Sequence, residues 1–301
     1  MYDVIIAGGG PAGLTAALYC RRANKTVLVI EKSTFGGQIT YSPKVENIPG
    51  FMQVTGNEFA EKLVEQVLEQ GAEVECAEVL EIRNGSVKTV VADSGEFEAK
   101  AVIIACGAKH RLLGLEHEED LIGEGISFCA VCDGAFYNGK TVAVIGGGNS
   151  ALQEALLLSD IAEKVYVVQN LDFLTGEQKL CSQLEAKANV EIITGAVVKK
   201  LLGEKSLEGI EIELLSDGSA RTLSLDGMFT AIGLVPQNDA FSSLVKLDAN
   251  GYVDSDESCV TSADGIFAAG DCRRKKIRQV ATAASDGAVA AIAACDYIDN
   301  M

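Results

Sequence analysis

Two stretches of the chain repeat one pattern, and nothing else in the sequence restricts the fold so tightly. "YDVIIAGGGPAGLTAALYCRRANKTVLVIE" begins as a continuous apolar run, turns at Gly8-x-Gly10-x-x-Gly13, continues with helical spacing and returns in a strand ending at Glu31. "KTVAVIGGGNSALQEALLLSDIAEKVYVVQ" does the same through Gly146-x-Gly148-x-x-Ala151 and ends at Gln169. The first two glycines of such a turn let backbone amides and the helix N-terminus approach a pyrophosphate, and the third small residue lets helix and strand pack closely. An acid at the end of the second strand, here Glu31, can accept both hydroxyls of a ribose.

The recurrence predicts two related nucleotide-binding domains in one chain. Near the C-terminus "ADGIFAAGDC" again reads as a buried strand, ending in glycine and Asp271, so the last segment returns to the first domain. The expected fold is α/β, with two Rossmann-like three-layer domains, the second inserted in the first. Residues 1–113 and 240–301 would form the first, and 114–239 the second, with boundaries near Gly114 and Asp239.

Composition narrows the function. Hydrophobic residues make up 48% of the 301 and charged residues 23%, with only four prolines, which suits folded domains and not a disordered tail. The net charge of −18 opposes nucleic-acid binding, which needs a basic surface. No stretch approaches the ~18 apolar residues of a membrane span. The start, "MYDVIIAGGG", has no positive n-region and is broken by glycine, so no signal peptide is expected, and a cytoplasmic location is.

Of nine cysteines, most stand singly in apolar segments (Cys20, Cys106, Cys295) and read as small core residues in a reducing cytosol. Cys129 and Cys132 form the close pair, in "FCAVCDG". Two thiols at that spacing can close a small reducible disulfide. A structural zinc site wants four ligands, and His110 and His117 are not spaced to complete one, so no metal is expected. Asp133, directly after Cys132, can donate or accept the proton that thiol–disulfide exchange must move; it can also be a plain turn or capping aspartate.

Taken together, the two nucleotide folds, the C-x-x-C ahead of the second glycine loop and the returning "GDC" resemble the low-molecular-weight thioredoxin reductases over essentially the whole chain. The marks are "GGGPAG" (8–13), "GGQITYSPKVENIPG" (36–50), "IIACGA" (103–108), "CAVCDG" (129–134), "GGGNSA" (146–151), "GIFAAGDC" and "RQVATAASDG". The resemblance implies FAD in the first domain, with Gly8, Gly10, Pro11, Ala12 and Gly13 at the pyrophosphate and Glu31 at the ribose. Gly37, Gln38, Asn47 and Gly107 would add contacts, Asp271 would hold the ribityl chain, and Arg278, Gln279 and Val280 would lie beside the flavin or its phosphates. A pyridine nucleotide would rest on Gly146, Gly148, Asn149, Ser150 and Ala151, with Gln169 at its ribose. In family terms Cys132 faces the flavin, Cys129 attacks the disulfide of a thioredoxin or thioredoxin-like partner, and Asp133 is acid and base. A homodimer and a rotation between domains are implied as well. The small residues after Gln279 (Ala281, Ala283, Ala284, Gly287, Ala288) suit a helix whose first amides approach a flavin, or one packed tightly on another helix.

The donor is less determined. NADPH-dependent relatives grip the 2′-phosphate with His-Arg-Arg-x-x-x-Arg, and the corresponding positions here are Gln169, Asn170, Leu171 and Thr175. Charge-assisted hydrogen bonds are worth roughly 1.5–3 kcal/mol each, so losing two arginines removes on the order of 3–6 kcal/mol, or a hundredfold to ten-thousandfold in affinity. Gln169 can still accept a bond from a plain ribose, so NADH, or NADPH bound weakly, is expected. The alternative is a vestigial second domain with electrons from a ferredoxin or a deazaflavin; "RRKK", Arg273–Lys276, is the one basic run that could dock an acidic partner. A ferredoxin–NADP reductase-like flavoprotein shares the two-domain plan but has no need of Cys129 and Cys132.

Overall fold

Alternation along the first strand, Tyr2–Ala7, sets the layers around it. Val4 and Ile6 point into one core, Ile5 and Ala7 into another, because successive side chains leave opposite faces of a strand. The computed structural model describes residues 1–42 and 45–301, so Pro43 and Lys44 of the "GGQITYSPKVENIPG" segment lie outside the described residues.

The chain divides into two units, 1–109 with 235–301, and 110–234. The crossings fall a few residues before the 113/114 and 239/240 read from sequence. In the first unit Tyr2–Ala7 lies parallel between Val27–Glu31 and Gly95–Ile104, and Ile266–Ala268, from the end of the chain, adds in parallel beside Gly95–Ile104. Glu73–Cys76 and the antiparallel strands Lys88–Ala92 and Val79–Arg83 complete seven strands.

Helix Pro11–Arg22 starts with proline at its first position, where the missing N–H costs nothing. It packs on helix Val280–Asp299 so closely that a Cβ at Gly287 would stand 2.1 Å from the Ala12 carbonyl oxygen. Of the small-residue stripe, Ala283 and Gly287 are buried in this contact, while Ala281 is exposed. Helix Gly56–Glu69 opens with a capping box, Thr55 and Glu58 each accepting the other's N–H.

The second unit repeats the plan. Val190–Ile193, Lys164–Val168, Thr141–Ile145, Gly227–Thr230 and Ile126–Ser127 form a parallel sheet in that order. Val142 and Val144 pack toward helix Asn149–Ser159, and Ala143 and Ile145 toward an antiparallel meander of Ala196–Leu202, Gly209–Leu214 and Ala220–Ser224. Among the described residues no helix is long and apolar enough to cross a membrane.

Candidate functional site

The first glycine loop is built by close approach. Gly8 has φ +115°, and a Cβ there would stand 2.3 Å from the Ala105 carbonyl oxygen, so only glycine fits. At Gly13 a Cβ would lie 1.9 Å from the Gly8 carbonyl oxygen. The outward side is open, with nothing nearer than 4.0 Å to a Cβ at Gly10 and nothing within 4 Å at Gly107. No side chain caps the helix that starts after Gly10, which leaves its N-terminal amides to a ligand. Glu31 is fixed at the loop: Oε2 accepts the Gly9 N–H at 2.7 Å and Oε1 the Ser33 N–H at 2.9 Å. Gln38 donates to the Ala108 carbonyl, and Asn47 to Gln279 Oε1 at 3.3 Å. Gly37 stands within 3.3 Å of Gly10 Cα by the same measure, and Val280 opens the helix that Gln279 caps.

Arg278 lies 4.3 Å over the Tyr252 ring, and its Nε is buried without a partner. Asp271 Oδ1 is likewise buried and unpaired, and burial raises the Asp271 carboxyl. Buried polar atoms are normally satisfied. An unpaired carboxylate oxygen and guanidinium nitrogen, in the unit that carries an uncapped helix N-terminus, fit a ligand rich in hydroxyls and phosphates, as FAD is.

The basic run Arg273–Lys276 departs from the sequence reading, which offered it as a basic patch that could dock an acidic partner. The Arg273 side chain is 1% exposed and that of Lys275 6%, and both grip Asp286. Arg273 donates from Nε and Nη2 at 2.8 Å each, Lys275 from Nζ at 2.8 Å, and the Gly270 N–H at 3.0 Å. The reason is compensation: two desolvated cations sit inside because one buried carboxylate answers both. Arg274 and Lys276 face solvent, and Arg274 is paired with Asp254 at 3.2 Å, so the run offers much less positive surface than its letters suggest.

In the second unit Cys129 and Cys132 are joined as a disulfide, their Cα atoms 5.3 Å apart. Cys129 caps the single turn Ala130–Asp133, and its sulfur accepts the Cys132 N–H at 3.2 Å. Ser127 Oγ ties the turn together, accepting from the Cys129 N–H at 3.2 Å and donating to Asp133 Oδ2 at 2.5 Å. Asp133 Oδ1 is buried without a partner; burial raises the carboxyl, and the Ser127 bond offsets part of that. The group is thereby biased toward holding a proton beside the sulfurs. Val131, between the cysteines, is 65% exposed, so this turn faces solvent. Phe128 stacks on His110 with centroids 4.3 Å apart, and burial lowers His110 to about 4, which leaves a neutral ring. Among the described residues no group of three or more His, Cys, Asp or Glu could hold a metal ion.

The second glycine loop copies the first up to a point. Gly146 has φ +130°, with a Cβ 2.5 Å from the Ala231 carbonyl oxygen, and Ala151 fills the third position, fully buried. Gly148 caps helix Asn149–Ser159 without a side-chain bond, and Asn149 and Ser150 are exposed. Gln169 diverges from Glu31. Its buried side chain lies across Gly147, where a Cβ would be 2.6 Å from Cδ, and its Nε2 makes only a 3.4 Å bond to the Phe173 carbonyl. The following loop folds back on the glycines: Thr175 and Gly176 N–H donate to the Gly147 carbonyl at 2.8 and 3.0 Å. Glu177 and Asn149 exchange bonds at 2.7 and 3.2 Å. Glu154, one turn into the helix, has a buried Oε2 without a partner and is raised by burial to about 7.

Sequence reasoning missed Ser127 and Asp286 as partners of named residues. Asp286 had a signal, being the single charge in the otherwise small and apolar run Val280–Cys295. Ser127 had none beyond standing two residues before Cys129.

The pyridine nucleotide-disulphide oxidoreductase family model matches residues 2–287. The chain is similar to the thioredoxin reductase of Listeria innocua, 41% identical with 100% of this chain and 95% of that protein covered. It is also similar to the thioredoxin reductase of Bacillus subtilis, 39% identical with 100% and 96% covered. The crystal structure of thioredoxin reductase from Streptococcus pyogenes superposes with a TM-score of 0.94 at 39% identity, covering 100% of this chain and 99% of that one.

Proposed function

We propose an electron route from the premise that the chain belongs to the pyridine nucleotide-disulphide oxidoreductase family. The protein is a flavoprotein disulfide reductase of the thioredoxin reductase type, and its substrate is thioredoxin or a thioredoxin-like protein. The observation that carries the reading is the Cys129–Cys132 disulfide on a solvent-facing turn with the buried Asp133 carboxyl behind it.

When bound, FAD supplies the electron pair that opens this disulfide. Gly8, Gly10, Gly13, Glu31, Asp271 and Arg278 would hold it in the first unit. Two electrons and two protons turn the disulfide into two thiols, and Asp133 is placed to store and return one of those protons. The Cys129 sulfur attacks the partner disulfide, forming one S–S bond while the partner's other sulfur leaves and takes up a proton. Cys132 then attacks Cys129, re-forming the internal disulfide and releasing the second partner thiol.

NADH is the favoured donor. Residues 165–178 contain no lysine, arginine or histidine, and the loop presents Thr175, Gly176 and Glu177 to the glycines. A 2′-phosphate would meet a carboxylate there and no cation, whereas a plain ribose needs neither. An anaerobic titration tests this: one equivalent of NADH should bleach the flavin while NADPH at the same concentration does not. Bleaching by NADPH alone would overturn the donor. If dithionite reduces the flavin and neither nucleotide does, the second glycine loop is vestigial and a ferredoxin or deazaflavin donor replaces NADH, although the burial of Arg273 and Lys275 removes half of the basic run proposed to dock it.

A further inference from the structure

Cys106 closes the segment "IIAC" and Cys272 the segment "AAGDC", and the fold brings them to one place. Strands Gly95–Ile104 and Ile266–Ala268 run parallel with Ile104 opposite Ala268, so both deliver their next residues to the same edge of the sheet. The turn Gly270–Cys272 bends back, leaving the Cys272 sulfur 3.4 Å from the Ile104 carbonyl and 3.3 Å from that of Ala269. The Cys106 sulfur lies 3.0 Å from the Gln237 carbonyl and 3.3 Å from Asn238 Oδ1. Asn238, 1% exposed, bridges the pair, since its Nδ2 donates to the Cys272 carbonyl at 2.7 Å.

The two thiols are near enough to influence each other, which raises Cys106 and lowers Cys272, and burial raises Cys106 further. Cys272 is fully buried, whereas Cys106 is partly exposed. The Cys20–Cys295 pair, on the two packed helices, is buried at both sulfurs and has no such opening.

We propose that Cys106 and Cys272 are a second dithiol, distinct from the catalytic one, that a small oxidant of the peroxide class closes to an internal disulfide. The Cys106 sulfur attacks one oxygen of hydrogen peroxide, the O–O bond breaks, and one water leaves the sulfur as a sulfenic acid. The Cys272 sulfur displaces the hydroxyl, forming the S–S bond and the second water. Two thiols lose two hydrogens and two electrons, and one peroxide becomes two waters. The neighbouring Cys272 and burial both keep Cys106 protonated, so closure is slower than at an exposed thiolate. The bridge would pin the Gly107 segment to Asp271, two parts of the expected FAD seat.

The test uses the intact enzyme as purified. It is incubated with hydrogen peroxide, its free thiols are blocked under denaturing conditions, and it is cut with trypsin. Peptide 101–109, which carries Cys106, should be recovered linked to peptide 247–273, with fragmentation placing the bond at Cys272 and not at Cys259. The link should vanish in Cys272→Ser while Cys129–Cys132 still closes. Recovery of Cys106 and Cys272 as separate blocked thiols from peroxide-treated protein in which Cys129–Cys132 is closed would overturn the proposal, as would a link to Cys259.

Discussion

Replacing Asp286 by asparagine should cost about 3–5 kcal/mol of unfolding free energy, the range for removing one partner of a buried ion pair. The carboxylate accepts four donors at 2.8–3.0 Å, three of them from Arg273 and Lys275. Both cations are nearly inaccessible, at 1% and 6%, so water cannot replace the lost charge. Glu257 also reaches Arg273, at 3.3 Å, but it is 92% exposed and so returns at most about 1 kcal/mol. For a unit of this size each kcal/mol moves the melting temperature by roughly 2–4 °C, so the shift should be on the order of 6–20 °C. Urea unfolding followed by far-UV circular dichroism is the assay, since the chain has no tryptophan to report. A loss below about 1 kcal/mol would refute the reasoning, because it would mean that the cations find water or another acid. Because the single variant could fail to fold, a triple variant, Asp286→Leu with Arg273→Met and Lys275→Met, checks the same argument from the other side. Swapping a whole buried ion cluster for apolar side chains is close to neutral or stabilising, so most of the loss should return. Burial alone would raise Asp286, but Arg273 and Lys275 hold it below its ordinary value, so its contribution is present above the ordinary carboxylate range and fades as pH falls through the lowered value.

Glu154 should act in the opposite sense: raised to about 7, it keeps a proton that the unfolded chain loses near 4.5, so stability should fall between those values by on the order of 3 kcal/mol. Glu154→Gln should flatten that part of the stability curve, and an unchanged slope would count against the burial argument. Placing arginine at Asn170, Leu171 and Thr175 together should tighten NADPH binding a hundredfold or more by calorimetry, with NADH little changed; no gain would mean that the loop is not at the ribose. Gly13→Ala should strip flavin from the purified protein, because its Cβ would overlap the Gly8 carbonyl. Ala151→Gly, at the matching place in the second unit, should cost only about 1 kcal/mol and leave flavin content alone.

The repeated strand–glycine–helix pattern made both nucleotide folds legible, since period and punctuation are local properties. Glu31 and the Cys129–Cys132 pair were legible for the same reason: one stands at a fixed place in its motif and the other is a spacing. The interior of "RRKK" was not. A run of four cations reads as a solvated loop, and what buries two of them is a carboxylate more than ten residues on, in a helix. Gln169 was placed at the ribose by position, but its amide packs over Gly147, which depends on the fold of a loop with no periodic signal. The nearness of Cys106 to Cys272 is likewise a matter of strand order, with 165 residues between them in the sequence.

Insertion of one unit within the other fixes an order of assembly during synthesis. Residues 110–234 are complete before the strand Ile266–Ala268 and the helix Val280–Asp299 have been made. The N-terminal glycine loop is translated first, yet helix Pro11–Arg22 still lacks helix Val280–Asp299 on which it packs, and Asp271 and Arg278 do not yet exist. On the ribosome the catalytic disulfide unit is therefore the first that can close. The proposed flavin seat is the last, so every nascent chain must pass through a stage that has its thiols and lacks the means to be supplied with electrons.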